Sequence, residues 1–347
     1  MAEDVKPAET YDDRPIHSDD QLPPEVQAPL GEYKGEPPPS PQWFKDAIAQ
    51  EPERSFVESL GTKLEVLTWG ELGKPGLLFV HGNSAHADWW SFIAPFFAEK
   101  YRVASMSLAG MGASGWRERY SFTDFADDAE AVARAAGLYE GGQKPIYIGH
   151  SFGGGQVFFA AAAHPERMHA AILVDTGFGP PPEELAKRQA QMEAVRNIPT
   201  VDRPSRIYPT LEAALLRFRL MPPQPAGNPF IADFIARRSL KRVPMPDGSG
   251  EGWTWMFDPN MWAKLERDGG MMRAPNPGPI STPLVHIYGA KSRIIEHRKA
   301  GSPSPFPPGL IEIEIPESHH HVMIDQPLAL VATLRALLAG WSADGAT

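Results

Sequence analysis

The 347-residue chain contains no cysteine, which excludes disulfide staples and thiol catalysis. It has no apolar run approaching the roughly 20 residues that a membrane-spanning helix requires. Its start, Met1-Ala-Glu-Asp-Val-Lys-Pro7, lacks the basic opening and apolar centre of a secretory signal. Cytoplasm is therefore the expected compartment. No basic block offsets the formal net charge of −10, which argues against a nucleic-acid partner. There is no internal repeat. What remains is a chain long enough for one large core and an insertion.

Residues 1–41 are acidic and rich in proline, so they are expected to bury little and to form a mobile arm. Beyond Arg54, short apolar runs alternate with helical patterns. The runs are Lys63–Thr68, Leu77–Val80, Val103–Met106, Ile146–Ile148, Ile172–Val174, Leu284–Tyr288 and Leu310–Ile315. Their spacing implies parallel strands joined by crossover helices. The regularity stops between Phe178 and Ile280, with Gly179-Pro-Pro-Pro182 and Asn276-Pro-Gly-Pro279 at the exits. The expected division is a core of residues 42–178 and 280–347 and an insertion of residues 179–279, with helices over Glu183–Arg196 and Leu211–Leu220.

Two glycine motifs suggest different chemistries. Gly149-His-Ser-Phe-Gly153 follows the apolar Pro145-Ile-Tyr-Ile148 and opens an alanine-rich helical stretch. This is the G-x-S-x-G pattern of a strand-to-helix turn that lifts a serine hydroxyl above a sheet, and the helix behind it offers free N–H groups to an anion. A plain glycine-rich turn with a solvent-facing serine would read the same way. The second motif, Gly110-Met-Gly-Ala-Ser-Gly115, fits G-x-G-x-x-G and follows Arg102-Val-Ala-Ser-Met106, which makes a dinucleotide site a legitimate alternative. Such a site needs a helix that opens at once and an acid at the end of the next strand. The sequence instead gives the polar stretch Trp116–Tyr120, and Asp127, Asp128 and Glu130 fall inside the helical pattern that begins near Ser121.

Four landmarks taken together resemble the α/β-hydrolase family from about Trp43 to the C-terminus: Phe79-Val-His-Gly-Asn83, Leu108–Gly115, the turn at Ser151, and Ser318–Pro327. The resemblance implies an α/β fold, a mostly parallel eight-stranded sheet flanked by helices, with a helical cap as its insertion. It implies Ser151 as nucleophile and the backbone N–H groups of Asn83 and Phe152 as an oxyanion hole. The catalytic histidine of the family usually precedes a helix-opening proline by seven positions, which points from Pro327 to His320 rather than His319 or His321. A metal held by the three consecutive histidines is disfavoured, because their side chains cannot readily converge on one ion.

Two departures from the family pattern stand out. An acidic residue and an arginine are common where Ser107 and Ala109 stand, so contacts there must differ. The usual triad-acid position holds Ser292, which cannot stabilise an imidazolium. Asp175, at the end of Ala170–Val174, is the expected replacement, and Glu296 is its rival. In the cap and near the oxyanion turn, Trp89, Trp90, His86, Trp253, Trp255 and Met256 are expected to line a hydrophobic substrate site, although such residues often only pack a cap onto its core. Arg217, Arg219, Arg237 and Arg238 could attract a carboxylate or simply face solvent.

The expectation is a serine hydrolase of a hydrophobic or aromatic small-molecule ester, without metal or cofactor, acting off the membrane as a monomer or homodimer. A carbon–carbon bond or lactone hydrolase with the same residues is the nearest alternative. A dinucleotide oxidoreductase and a non-catalytic binding protein are more distant ones.

Overall fold

Runs that are apolar at every position need cover on both faces, and the centre of one sheet provides it. The computed structural model describes residues 22–177, 204–265, 280–294 and 310–344. Its core strands begin with β1 (Glu53–Ser59), β2 (Thr62–Trp69), β3 (Gly76–Val80), β4 (Arg102–Met106), β5 (Ile146–His150) and β6 (Ala170–Val174). The insertion carries β7 (Ile207–Tyr208), β8 (Leu240–Pro244) and β9 (Glu251–Trp255). The core then resumes with β10 (Leu284–Gly289) and β11 (Ile311–Ile315). The large sheet has eight strands in the order β1-β2-β4-β3-β5-β6-β10-β11, parallel from β4 onward and antiparallel at β1 and β2. Every residue of β3, β5 and β6 is buried.

Alternation along β3 divides the interior into two layers: Leu77 and Phe79 join one apolar cluster, Leu78 and Val80 the other. The described helices are α1 (Pro24–Gln27), α2 (Gln42–Ile48), α3 (Phe122–Ala135), α4 (Phe152–Ala163), α5 (Leu211–Leu215), α6 (Pro229–Arg238), α7 (Met261–Lys264), α8 (Val322–Asp325) and α9 (Pro327–Asp344). Helix α3 covers the second layer with Phe125, Ala129 and Val132, and α9 covers the first with Leu330, Leu334 and Leu338. Ser121 caps α3, its hydroxyl accepting from the Asp124 N–H at 3.0 Å. Among the described residues no helix is long and apolar enough to cross a membrane.

Three expectations need correction. Residues 22–41 are not a free arm: Leu30 is buried, and the Gly35 carbonyl accepts from Arg237 of α6 at 2.5 Å. Behind them, Trp43 and Phe44 of α2 form an aromatic wedge between core and insertion. Phe44 lies 4.9 Å from Phe230, 5.6 Å from Phe234 and 6.0 Å from Phe92. Proline-rich composition predicts little burial of its own, but it does not register docking onto a surface formed elsewhere. Second, the helix expected over Leu211–Leu220 ends at Leu215. Third, the insertion is not only helical, because β7, β9 and β8 form a small antiparallel sheet. The segment between β8 and β9, Met245-Pro-Asp-Gly-Ser-Gly250, is a turn signal that could have revealed the hairpin. The expected helix Glu183–Arg196 and both exit segments lie outside the described residues.

The Gly110–Gly115 turn is a packing device. Gly110 and Gly112 have φ of +84° and +58°, and a Cβ on Gly112 would lie 2.8 Å from the His86 Cβ. No helix opens there, since α3 begins only at Phe122. Just beyond the turn, Arg117 forms a buried pair with Asp128 at 2.8 Å, and the Ser59 hydroxyl donates to the same carboxylate at 2.6 Å. Asp128→Ala leaves the guanidinium unpaired in the interior. It is expected to destabilise the fold by about 3–5 kcal/mol, as breaking buried pairs does. Urea unfolding should show a lower midpoint at unchanged slope; a loss below about 1 kcal/mol would mean that Arg117 finds a substitute partner.

Candidate active site

The chain reverses between β5 and α4 so tightly that Ser151 sits at φ +52°, ψ −116°, a conformation costing a non-glycine residue of order 1–3 kcal/mol. Its N–H donates to the Val174 carbonyl and its carbonyl accepts from Gly155, both at 3.0 Å, so neighbouring elements hold the strain. The motif glycines make the turn possible: a Cβ on Gly149 would lie 2.5 Å from the Gly153 carbonyl oxygen, and one on Gly153 would strike the backbone of Val80, the last residue of β3, and of His81 just beyond it. The serine hydroxyl is thereby presented at the carboxyl end of the sheet, at the start of α4.

His320 reaches that hydroxyl from the loop after β11. Its Nε2 lies 2.9 Å from Ser151 Oγ, and its Nδ1 lies 2.8 Å from Asp175 Oδ1. Asp175 follows β6 and is fully buried. Its Oδ2 accepts from the Gly289 N–H at 2.7 Å, and its Oδ1 also accepts from the Ser292 hydroxyl at 2.6 Å. The carboxylate can only accept, so His320 carries its proton on Nδ1 and offers Nε2 as acceptor to Ser151. Glu296 lies outside the described residues.

The other histidines are held elsewhere. His319 bonds Asp325 Oδ2 through its backbone N–H at 2.8 Å and Nδ1 at 3.0 Å. His321 turns its Nδ1 to Gln224 Oε1 at 2.9 Å and its ring towards Trp89. Within the elbow, His150 donates from Nε2 to the His320 carbonyl at 3.0 Å. Burial, followed by the nearness of His320, pushes both His150 and His321 well below the ordinary histidine range. His81 is pushed down to about 3, chiefly by burial, and its Nε2 accepts from the Leu108 N–H at 3.0 Å. The rings of His150 and His321, both kept neutral, lie 4.8 and 4.9 Å from that of His320, and Asp175 is the carboxylate bonded to it. Among the described residues no cluster of three or more metal-binding side chains occurs.

Gly82 packs against the nucleophile: a Cβ there would lie 3.4 Å from the Ser151 Cβ and 3.0 Å from His150 Nδ1. The next residue, Asn83, and the first residue of α4, Phe152, thus border the serine. Among the described residues, neither backbone N–H has a hydrogen-bond acceptor.

The expected substrate-lining residues distribute differently. Trp90 is fully buried 4.9 Å from Phe79 and belongs to the core. His86 is a tether to the insertion, its Nε2 donating to Ser239 Oγ at 2.9 Å. Trp253 and Trp255 sit on β9, facing Arg242 and Phe218 respectively. Met256 is pinned at the seam, its carbonyl accepting from Gly112 at 2.8 Å. An aromatic ring adjacent in sequence to a motif says nothing about which face buries it. Of these six, Trp89 approaches the histidine loop, 5.5 Å from the His321 ring. Trp262, 43% exposed, covers Phe152 at 5.5 Å. Arg237 and Arg238 are committed to Asp233 and Asp88.

A relocated charge pair answers the departures at Ser107 and Ala109. The Ser107 hydroxyl donates to Glu65 Oε2 at 2.7 Å and accepts from the Ala87 N–H at 2.9 Å. Glu65 on β2 pairs with Arg54 on β1, and Arg54 reaches on to Asp88 at 2.9 Å. The carboxylate thus comes from the neighbouring antiparallel strand. Its signal was a lone charge inside Leu64-Glu-Val-Leu67.

A parallel sheet with a strained serine elbow at its carboxyl end, a histidine loop after the last strand and an insertion above them define an α/β-hydrolase. Residues 77–334 match the model of the alpha/beta hydrolase family, and the chain belongs to it. Relatives include the lipase LipV of Mycobacterium tuberculosis, 34% identical over 113 residues, or 32% of this chain and 41% of that protein. A bifunctional esterase/perhydrolase of Acinetobacter calcoaceticus is 34% identical over 110 residues, 30% of this chain and 38% of that one. These matches span about two fifths of the relatives' length. The thioesterase domain of a curacin biosynthetic pathway shares the fold, with a TM-score of 0.63 at 22% identity over 81% of this chain and 98% of that domain.

Proposed function

We propose that the protein is a serine hydrolase cleaving a carboxylic ester of a hydrophobic or aromatic small molecule through an acyl-enzyme. The reading rests on one observation: the hydroxyl of a strained elbow serine, Ser151, lies 2.9 Å from the Nε2 of a histidine whose Nδ1 is 2.8 Å from a fully buried carboxylate. In that geometry Ser151 Oγ attacks the ester carbon as its proton passes to His320 Nε2, and the carbonyl electron pair moves to oxygen. Asp175 compensates the imidazolium. The N–H groups of Asn83 and Phe152 receive the oxyanion. Collapse expels the alcohol with the proton from Nε2. Water, deprotonated by His320, then releases the carboxylic acid and restores Ser151. Trp262 over Phe152 and Trp89 beside His321 give the cleft its aromatic walls, and lipase and esterase relatives agree with an ester substrate.

A series of p-nitrophenyl esters of rising acyl length, together with fluorophosphonate labelling and peptide mapping, tests this. The expected result is a pre-steady-state burst with at least one ester and label on Ser151 alone, absent in a folded Ser151→Ala variant. Label on another serine, or turnover that survives Ser151→Ala, would end the proposal.

A further inference from the structure

The histidine loop is held from outside the core. Gln224, in the insertion between β7 and α6, accepts at Oε1 from the backbone N–H of His321 at 3.0 Å and from its Nδ1–H at 2.9 Å. Through Nε2 it donates to Asp325, 3.2 Å from Oδ2 and 3.4 Å from Oδ1. Asp325 in turn accepts from the Gly227 N–H at 3.1 Å and the His319 N–H at 2.8 Å. Asn228 completes the join by donating from Nδ2 to the Ile324 and Asp325 carbonyls at 2.8 and 3.1 Å. Residues on both sides of His320 are therefore bonded, directly or through Asp325, to three residues of the insertion, Gln224, Gly227 and Asn228.

The chemistry asks for a carboxamide at position 224. A backbone N–H can only donate and a carboxylate can only accept, so the side chain between them must accept on one side and donate on the other. Glutamate cannot donate and lysine cannot accept. Gln224, His321 and Asp325 are all more than nine-tenths buried, which makes these bonds costly to leave unmade. Burial also separates Gln224 from bulk solvent, in keeping with a role in holding the loop. Gly227 approaches so closely that a Cβ would lie 2.9 Å from Asp325 Oδ1.

We infer that Gln224 is a positioning residue for His320, so that the insertion forms part of the machinery of the base as well as a cover for the cleft. This inference rests on the triad reading above. Lifting residues 224–228 would release His319, His321 and Asp325 together, and with them the 2.9 Å approach of His320 to Ser151. The segment must stay docked during turnover, and substrate must enter past another part of the insertion.

Gln224→Met in the full chain keeps length and apolar bulk while removing all the side chain's hydrogen bonds. The expected result is a kcat about 10- to 100-fold lower on p-nitrophenyl acetate and on longer esters alike, with KM changed less than about 2-fold, as for a misplaced reacting group. The low-field proton resonance of the His320 Nδ1–H should broaden or shift upfield. Asn228→Ala, at the other end of the join, should change both readouts in the same direction and supplies the test if Gln224→Met does not fold. The inference is overturned by unchanged kcat and resonance, by a raised KM alone, or by a lowered Tm with full turnover below it. The resonance needs no turnover, so it reports on Gln224 even if Ser151 proves not to be a nucleophile. Failure of Ser151 labelling in the wild-type chain would mark the separate failure of the hydrolase reading.

Discussion

His320→Ala is expected to lower kcat by about 10⁶, the scale on which serine hydrolases lose rate when the base is removed. The geometry makes the effect specific within the triplet, because Ser151 and Asp175 both bond to this ring. His319→Ala removes a side-chain contact with Asp325 but leaves the backbone N–H on the same oxygen, so a loss below about 10-fold should follow. His321→Ala deletes a bond to Gln224 and a ring beside Trp89, and should fall between the two. Initial rates on a single ester, with circular dichroism to confirm folding, decide the order. Were His319→Ala or His321→Ala the most damaging, the seven-residue spacing to Pro327 would have selected the wrong ring.

Asp175→Asn should cost about 10⁴ in kcat by favouring the wrong imidazole tautomer. Ser292 makes a stronger test available. Its hydroxyl oxygen lies 2.6 Å from the Asp175 oxygen that accepts from His320. A carboxylate carbon placed where that hydroxyl stands would carry its oxygens about 1.2 Å further, towards the same spot. Asp175→Ala combined with Ser292→Asp should therefore regain at least about 100-fold over Asp175→Ala alone, roughly half on a logarithmic scale of what the acid contributes. A double variant no faster than the single one would show that position 292 cannot present a charge to His320. It would also show that the buried site after β6 is unique.

What could be read from the chain followed the range of each interaction. Gly149–Gly153 is local: glycine spacing, strand and helix lie within about twenty residues, and the turn appears where the pattern predicts. Parallel strands buried on both faces announced themselves as unbroken apolar runs. β1 did not, because an edge strand reading Glu-Arg-Ser-Phe-Val-Glu-Ser presents mostly polar side chains, and even Phe56 points outward. The meeting of Asp175 with His320 was expected from the family resemblance, whose usual acid position holds Ser292, joined to the chemical point that a serine cannot stabilise an imidazolium. Glu65 supporting Ser107, Gln224 holding His321 and Phe44 beneath Phe230 join positions 42, 97 and about 190 residues apart. No periodicity reaches that far. Trp90 and His86 were misplaced for a related reason, since composition near a motif cannot distinguish a cleft wall from the packing beneath it.

The aromatic wedge of α2 also has a consequence in time. Trp43 and Phe44 leave the ribosome about 190 residues ahead of their partners Phe230 and Phe234, roughly 10–40 s at ordinary rates of synthesis. Until then two large aromatic side chains beside Leu30 have only the Phe92–Phe96 side of their seat. The nascent chain therefore carries an uncovered aromatic patch for that interval.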